Sequence, residues 1–145
     1  MKTLFTSVCL TIAVLLGSVG NAFSEGKWIP TNKLNCDVWN PRSQPIETVT
    51  WSGGCLNGKA HGYGRTTWRF LKNKKMVERT IDGEVQNGKR LGLVKIIYEN
   101  GDVYVGMLHA TSGNRHGRGT YTYTSGLTKE GIWVDGKFME AFTEL

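Results

Sequence analysis

A skeleton of glycines and aromatic residues recurs along this chain and constrains it more than any other feature. It is first written as Trp51, Gly53, a turn at Asn57-Gly58-Lys59, the pair Gly62 and Gly64, and Trp68. It returns as Ile81, Gly83, Asn87-Gly88-Lys89, Gly92 and Tyr98, and again as Tyr104, Gly106, Gly113 to His116, Gly117, Gly119 and Tyr123. A truncated fourth copy holds Gly131, Trp133, Asp135, Gly136 and Lys137. Successive lead glycines, Gly53, Gly83, Gly106 and Gly131, are 30, 23 and 25 residues apart. With 23 as the unit, seven extra residues follow Trp68 and two lie between Gly106 and Gly113. Both insertions fall at or near predicted turns, where connecting segments tolerate them. A period in the twenties marks a repeat architecture.

Between the glycines the runs are short and rich in β-branched and aromatic residues, as in Thr48 to Ser52, Gly64 to Phe70, Val94 to Tyr98 and Gly119 to Thr124. Such runs favour strands. Asn-Gly, Asp-Gly and Ser-Gly pairs punctuate them, and these suit tight hairpins because the central residues tolerate positive φ. Each copy therefore predicts a hairpin, and successive copies an antiparallel meander. Alternation along a strand then divides the side chains into two faces. One face carries Trp51, Trp68, Ile81, Val85, Val94, Ile96, Tyr98, Tyr104, Leu108, Tyr121, Tyr123 and Trp133, with glycine columns leaving room for the rings. The other is mostly polar, with Thr50, Ser52, Tyr63, Arg65, Thr67, Arg69, Thr80, Asp82, Glu84, Lys95, Thr120 and Thr122.

The glycine spacing, the Gly-Lys turn and the Gly-x-Gly that follows together resemble the MORN repeat (membrane occupation and recognition nexus). The clearest copies run from Asn57 to Trp68 and from Tyr104 to Gly126, and the resemblance covers roughly residues 49 to 138. Leu91 in place of the usual His, Val94 in place of the second glycine and Lys129 in place of the leading aromatic make the second and fourth copies degenerate. The expected fold is all-β: an elongated antiparallel meander of MORN-like β-hairpins in a single curled sheet. A disulfide-tied N-terminal arm and a short C-terminal cap would flank it. The resemblance implies interaction or scaffolding, often near membranes.

The first residues read as a secretory signal peptide. Lys2 supplies the positive start, Leu10 to Val19 the apolar stretch, and Ala22 or Ser24 a small residue at the cleavage site. The expected organisation is a signal peptide over 1–22, an arm over 23–46, the repeat domain over 47–138 and a cap over 139–145. An exported protein, periplasmic or secreted and of bacterial type, follows. Removing Lys2 leaves 17 basic against 12 acidic residues, a moderate excess that argues for no nucleic-acid partner. Cys9 leaves with the signal, so Cys36 and Cys55 remain as a pair in an oxidising compartment and predict a disulfide. Two thiols without histidine partners give no metal site.

The arm holds Pro30, Pro41 and Pro45 with Trp28 and Trp39 as anchors. It reads as the extended cap that a repeat sheet needs at its end, with an aromatic ligand-binding lip as the alternative. On the polar face, Leu93, Ile97, Val103, Val105 and Met107 break the pattern and form a candidate partner-binding cluster. The competing expectation is that the arm or the tail covers them, since Phe138, Met139, Phe142 and Leu145 recur at helical spacing. Lys59, Lys89, Arg90, Arg115 and Lys137 fall at equivalent turns and predict a cationic row along one edge, a candidate anion site or simply a solvated one. His61 and His116 share one repeat position, so they read as template residues. No nucleophile motif, zinc motif or phosphate loop is present and no cofactor is expected. The expected function is a non-catalytic protein-interaction or scaffolding module with an unknown protein partner. A binder of membrane lipid or anionic glycan is the alternative, a hydrolytic enzyme the third possibility, and self-association is open because a bare sheet invites it.

Overall fold

The computed structural model describes residues 26–142. The candidate signal peptide and both of its cleavage positions, together with Leu145 of the tail, lie outside the described residues. The described chain has eleven strands and no helix: β1 (Lys27–Pro30), β2 (Asp37–Asn40), β3 (Thr48–Trp51), β4 (Gly54–Leu56), β5 (Lys59–Lys72), β6 (Lys75–Gln86), β7 (Lys89–Ile97), β8 (Val103–Leu108), β9 (Arg115–Thr122), β10 (Thr128–Val134) and β11 (Lys137–Ala141). They make one sheet in the order β1-β2-β5-β6-β7-β8-β9-β10-β11, with β3 and β4 both paired to β5. The meander is antiparallel, as expected. Its exception is a single parallel bridge, Asp37 to Lys59, where the arm joins the repeats.

Turn chemistry sets the hairpins. Asn57-Gly58, Asn87-Gly88 and Asp135-Gly136 each place two consecutive residues at positive φ, near 50° and then near 80°. That is the primed turn whose twist matches the flanking strands. The seven-residue insertion does not form a loop. It lengthens β5 and β6 into a long hairpin paired from Gly62 and Val85 out to Lys72 and Lys75, closed by Asn73-Lys74 at positive φ.

The aromatic face is the core, with Trp51, Trp68, Ile81, Val85, Val94, Ile96, Tyr104 and Trp133 all buried. Trp51 lies flat over Gly53 and Gly64, so close that a Cβ at Gly53 would stand 2.2 Å from the indole. Tyr104 occupies the same relation to Gly106 and Gly119 two hairpins later. Indole nitrogens find carbonyls or hydroxyls: Trp51 Nε1 donates to Gly54 O at 2.6 Å, Trp68 Nε1 to Thr66 Oγ1 at 3.0 Å and Trp133 Nε1 to Gly119 O at 3.0 Å. Burying one such ring removes roughly 150–250 Å² from water, worth about 4–6 kcal/mol as an upper bound. Val49, Ala60 and Phe70 extend this core beyond the residues that the repeat template marks.

The arm is a hairpin of β1 and β2 held in three ways. Cys36 and Cys55 are joined by the expected disulfide, with Cα atoms 5.6 Å apart. The Asp37 and Trp39 amides donate to Gly58 O and Gly88 O, so β2 bonds to the turns of the first two repeats. Trp28 meets Trp39 edge to face at 5.3 Å. Residues 40–47 then cross the aromatic face, pinned by Glu47, which accepts from Asn40 Nδ2, Ser43 Oγ and the Gln44 amide.

The tail differs from its expected helical spacing. The Asp135-Gly136 turn sends the chain straight back as β11, paired to β10 with a bulge between Ile132 and Trp133. Phe138 packs on Trp133 at 5.1 Å and Phe142 sits 4.9 Å from the Arg118 guanidinium. Neither the arm nor the described part of the tail covers the Leu93 to Met107 cluster. The arm takes the opposite face, and the tail adds a strand at the edge.

Candidate functional site

The outer face of β7 and β8 gathers the predicted apolar cluster. Leu93 faces Met107, Lys95 faces Val105 and Ile97 faces Val103 across the two strands. Leu93 is 62% exposed, Val105 40% and Met107 39%, while Ile97 and Val103 are half-buried. Leu91, 49% exposed, belongs with them. It was legible only as a departure from the repeat, although alternation places it on this side. Beyond it the row continues through Glu84 to the exposed Tyr63 on β5.

The five turn cations do not line one solvated edge. Lys59 Nζ pairs with Asp37 at 3.1 Å and sits 3.8 Å over the Trp28 ring, and Lys89 and Lys137 stay exposed. Arg90 stands one residue beyond Lys89, so alternation turns it to the aromatic face. There it lies 5.5 Å over Trp68 and donates to Thr66 Oγ1 at 3.2 Å. Arg115 stacks 4.6 Å from Trp133 and 4.9 Å from Tyr121, donating to Tyr98 Oη and Gly136 O. Two of the five are therefore interior residues.

Those two arginines line a cavity of about 560 Å³ between the aromatic face and the crossing arm. Its apolar wall is Trp68, Phe70, Ile81, Ile96, Tyr98 and Leu108. The arm contributes Asn40, Pro41, Arg42, Gln44 and Glu47. Six basic side chains line it (Arg42, Lys72, Arg79, Arg90, Arg115 and Lys137) against three acidic ones (Glu47, Glu99 and Asp135). Glu99 answers two of the cations, accepting from Lys72 at 2.5 Å and from Arg79 Nη2 at 2.8 Å. Burial raises the Glu99 pKa, but hydrogen bonds from Lys72 and Arg79 outweigh it and bring the carboxyl down to about 2. Among the described residues no ion pair involves Arg42, Arg90 or Arg115. Burial, then the charge of Arg79, lowers Arg90 to about 10. Arg42 is exposed as a residue, yet partial burial of its guanidinium, and then the charges of Arg79 and Arg115, lower its pKa. The Arg115 Nε is buried without a hydrogen-bond partner.

Sequence reasoning missed Arg42 and Arg79. Arg79 pairs with Trp68 across the lengthened hairpin, and Arg42 arrives from the arm, which no repeat pattern describes. The histidines fall elsewhere: the His109 and His116 rings meet at 5.2 Å, His116 Nδ1 lies 3.8 Å from Asp135, and His61 Nδ1 accepts from the Asn87 amide at 3.5 Å.

Comparison with curated proteins finds none that matches this chain. A family model does match within it. Residues 50–69, which run from β3 into β5, and residues 111–128, which carry β9 to the start of β10, both match the model of the MORN repeat, and the chain carries MORN-repeat sequence in those two segments.

Proposed function

We propose that this chain is a non-catalytic, exported interaction module that holds a partner protein on the outer face of β7 and β8. The observation that carries the reading is the uncovered apolar row of Leu91, Leu93, Val105 and Met107 on a face that is otherwise polar. Contiguous apolar surface of this kind marks an interaction site on a soluble protein. MORN repeats are typically protein or membrane interaction modules, which supports the same class. Export, to the periplasm or beyond the cell, is supported by the signal-like start and by the Cys36–Cys55 bridge, since disulfides persist in oxidising compartments. The lipid or anionic-glycan alternative loses its ordered edge, because Arg90 and Arg115 turn inward and Lys59 is paired to Asp37.

The test is crosslinking capture by the tagged mature protein from its own cell envelope, at low and at high salt, with a Leu93→Asp, Met107→Asp variant alongside. One protein retained at high salt by the parent and lost by the variant is the expected result. Capture that vanishes at high salt and leaves lipid or polysaccharide moves the function to the electrostatic alternative. Capture unchanged by the variant removes the outer face as the binding surface. Sedimentation of the purified protein separates the remaining case, a second copy of this chain seated on the row.

A further inference from the structure

We propose that the cavity beneath the arm is a binding site for a small organic anion carrying two or three negative charges on clustered oxyanion groups. The site is independent of the outer face and stands whether or not a protein docks there.

Arg90 and Arg115 carry more donors than partners. A guanidinium offers five N–H donors and never deprotonates under ordinary conditions. Arg90 gives one bond to the Thr66 hydroxyl, and Arg115 gives one each to Tyr98 Oη and Gly136 O while its Nε stays buried and unpartnered. Charges held away from water are costly unless paired and hydrogen-bonded. Here like charges are also brought together, since Arg79 and Arg115 act on Arg42, and Arg79 on Arg90. Of the three acids nearby, Asp135 is exposed beside His116, and the other two are already engaged. Glu99 holds Lys72 and Arg79, and Glu47 is tied into the arm by Asn40, Ser43 and Gln44. An incoming anion would complete the charge balance.

Geometry adds to charge. The Arg90 guanidinium carbon lies over Trp68, and that of Arg115 over Trp133 and Tyr121. Their bonds to Thr66, Tyr98 and Gly136 hold them in place before any ligand arrives. An arginine held this way loses little further freedom on binding. The Arg42 side chain donates to Gly113 O at 3.4 Å and lines the cavity from the arm. A space of about 560 Å³ is far larger than one inorganic ion and falls within the range of small-molecule sites. The wall of Trp68, Phe70, Ile96 and Tyr98 would take an apolar or planar body behind the charged end. Phosphate esters and polycarboxylates share this chemistry.

Thermal melting of the purified mature protein tests the site, with pyrophosphate and citrate as probes and sodium chloride at matched ionic strength as reference. Either probe is expected to raise Tm, and isothermal titration to give a saturable one-to-one isotherm. Pyrophosphate ahead of citrate assigns a phosphorylated ligand, and the reverse order a polycarboxylate. Arg90→Gln should weaken the better probe by about tenfold or more, the loss of a charge-assisted bond. Arg42→Gln, at the exposed arm, should weaken it by a smaller factor without touching the core. In probe-free buffer neither substitution is expected to lower Tm, because each removes an unpaired charge. The proposal is overturned if neither probe shifts Tm beyond chloride, or if both variants respond as the parent does. It is also overturned if both variants melt lower in probe-free buffer and the probes shift them as much as the parent, for then the arginines serve the fold alone.

Discussion

The two faces of β7 and β8 carry nearly equal apolar weight and meet opposite fates. Val94, Ile96 and Tyr104 point one way and are buried among rings, while Leu93, Val105 and Met107 point the other and remain in water. Hydrophobicity along the strand does not distinguish them. The difference lies in what lies over each face. On the inner side glycines admit whole aromatic rings and the arm crosses on top, whereas nothing in the described chain crosses the outer side. Here the one covering segment is held to the inner side by the disulfide, by the β2 bonds to the Gly58 and Gly88 carbonyls and by the contact of Trp28 with Trp39.

Removing a ring from the inner face breaks the comparison most severely. Trp51→Ala leaves a void above Gly53 and Gly64 and should cost about 3–5 kcal/mol in urea unfolding. Next comes the tether. Replacing Cys36 and Cys55 by serine should cost about 3 kcal/mol in the chain-entropy model. It should also raise amide exchange in residues 40–47 more than in β7 or β8. Glu99 sharpens the charge side of the inner face. Its carboxyl is lowered from 4.5 to about 2 in the fold, so its ion pairs stabilise fully above pH 4.5 and are lost as pH falls towards 2. Glu99→Gln should flatten the pH dependence of stability across that window, read by Tm between pH 2 and 5. The outer face should respond least: Leu93→Asp is expected to change stability by no more than about 0.5 kcal/mol while removing partner capture. A large loss of stability there would mean that the outer row is structural.

Local chemistry made much of this readable. Asn57-Gly58, Asn87-Gly88 and Asp135-Gly136 declare their turns because few other pairs accept two positive φ values. Gly53 and Gly64 declare a ring by leaving space for Trp51, and alternation alone brings Leu93 opposite Met107. The cysteine pair was equally plain. What escaped was set by distance along the chain. Arg42 reaches Gly113 across 71 residues, and no periodicity in the arm foretells that path. Arg90 is the second residue of β7 and so faces opposite to Lys89, the first. Arg115 is the first residue of β9, as Lys59 is of β5, but it lies beside the bulge between Gly106 and Leu108, which the sequence does not mark. The helical spacing of Phe138, Met139 and Phe142 yields to the Asp135-Gly136 turn, which commits the chain to a hairpin before spacing can matter.

The covalent loop closed by Cys36 and Cys55 contains the whole segment that roofs the cavity, residues 40–47. In mechanical terms this puts the roof outside the load path. Tension applied at the N-terminus first meets the pairing of β1 with β2; once β1 peels away, it passes through the disulfide into β4 and β5, bypassing residues 40–47. So long as the bridge is oxidised, such a pull would leave the roof unstrained.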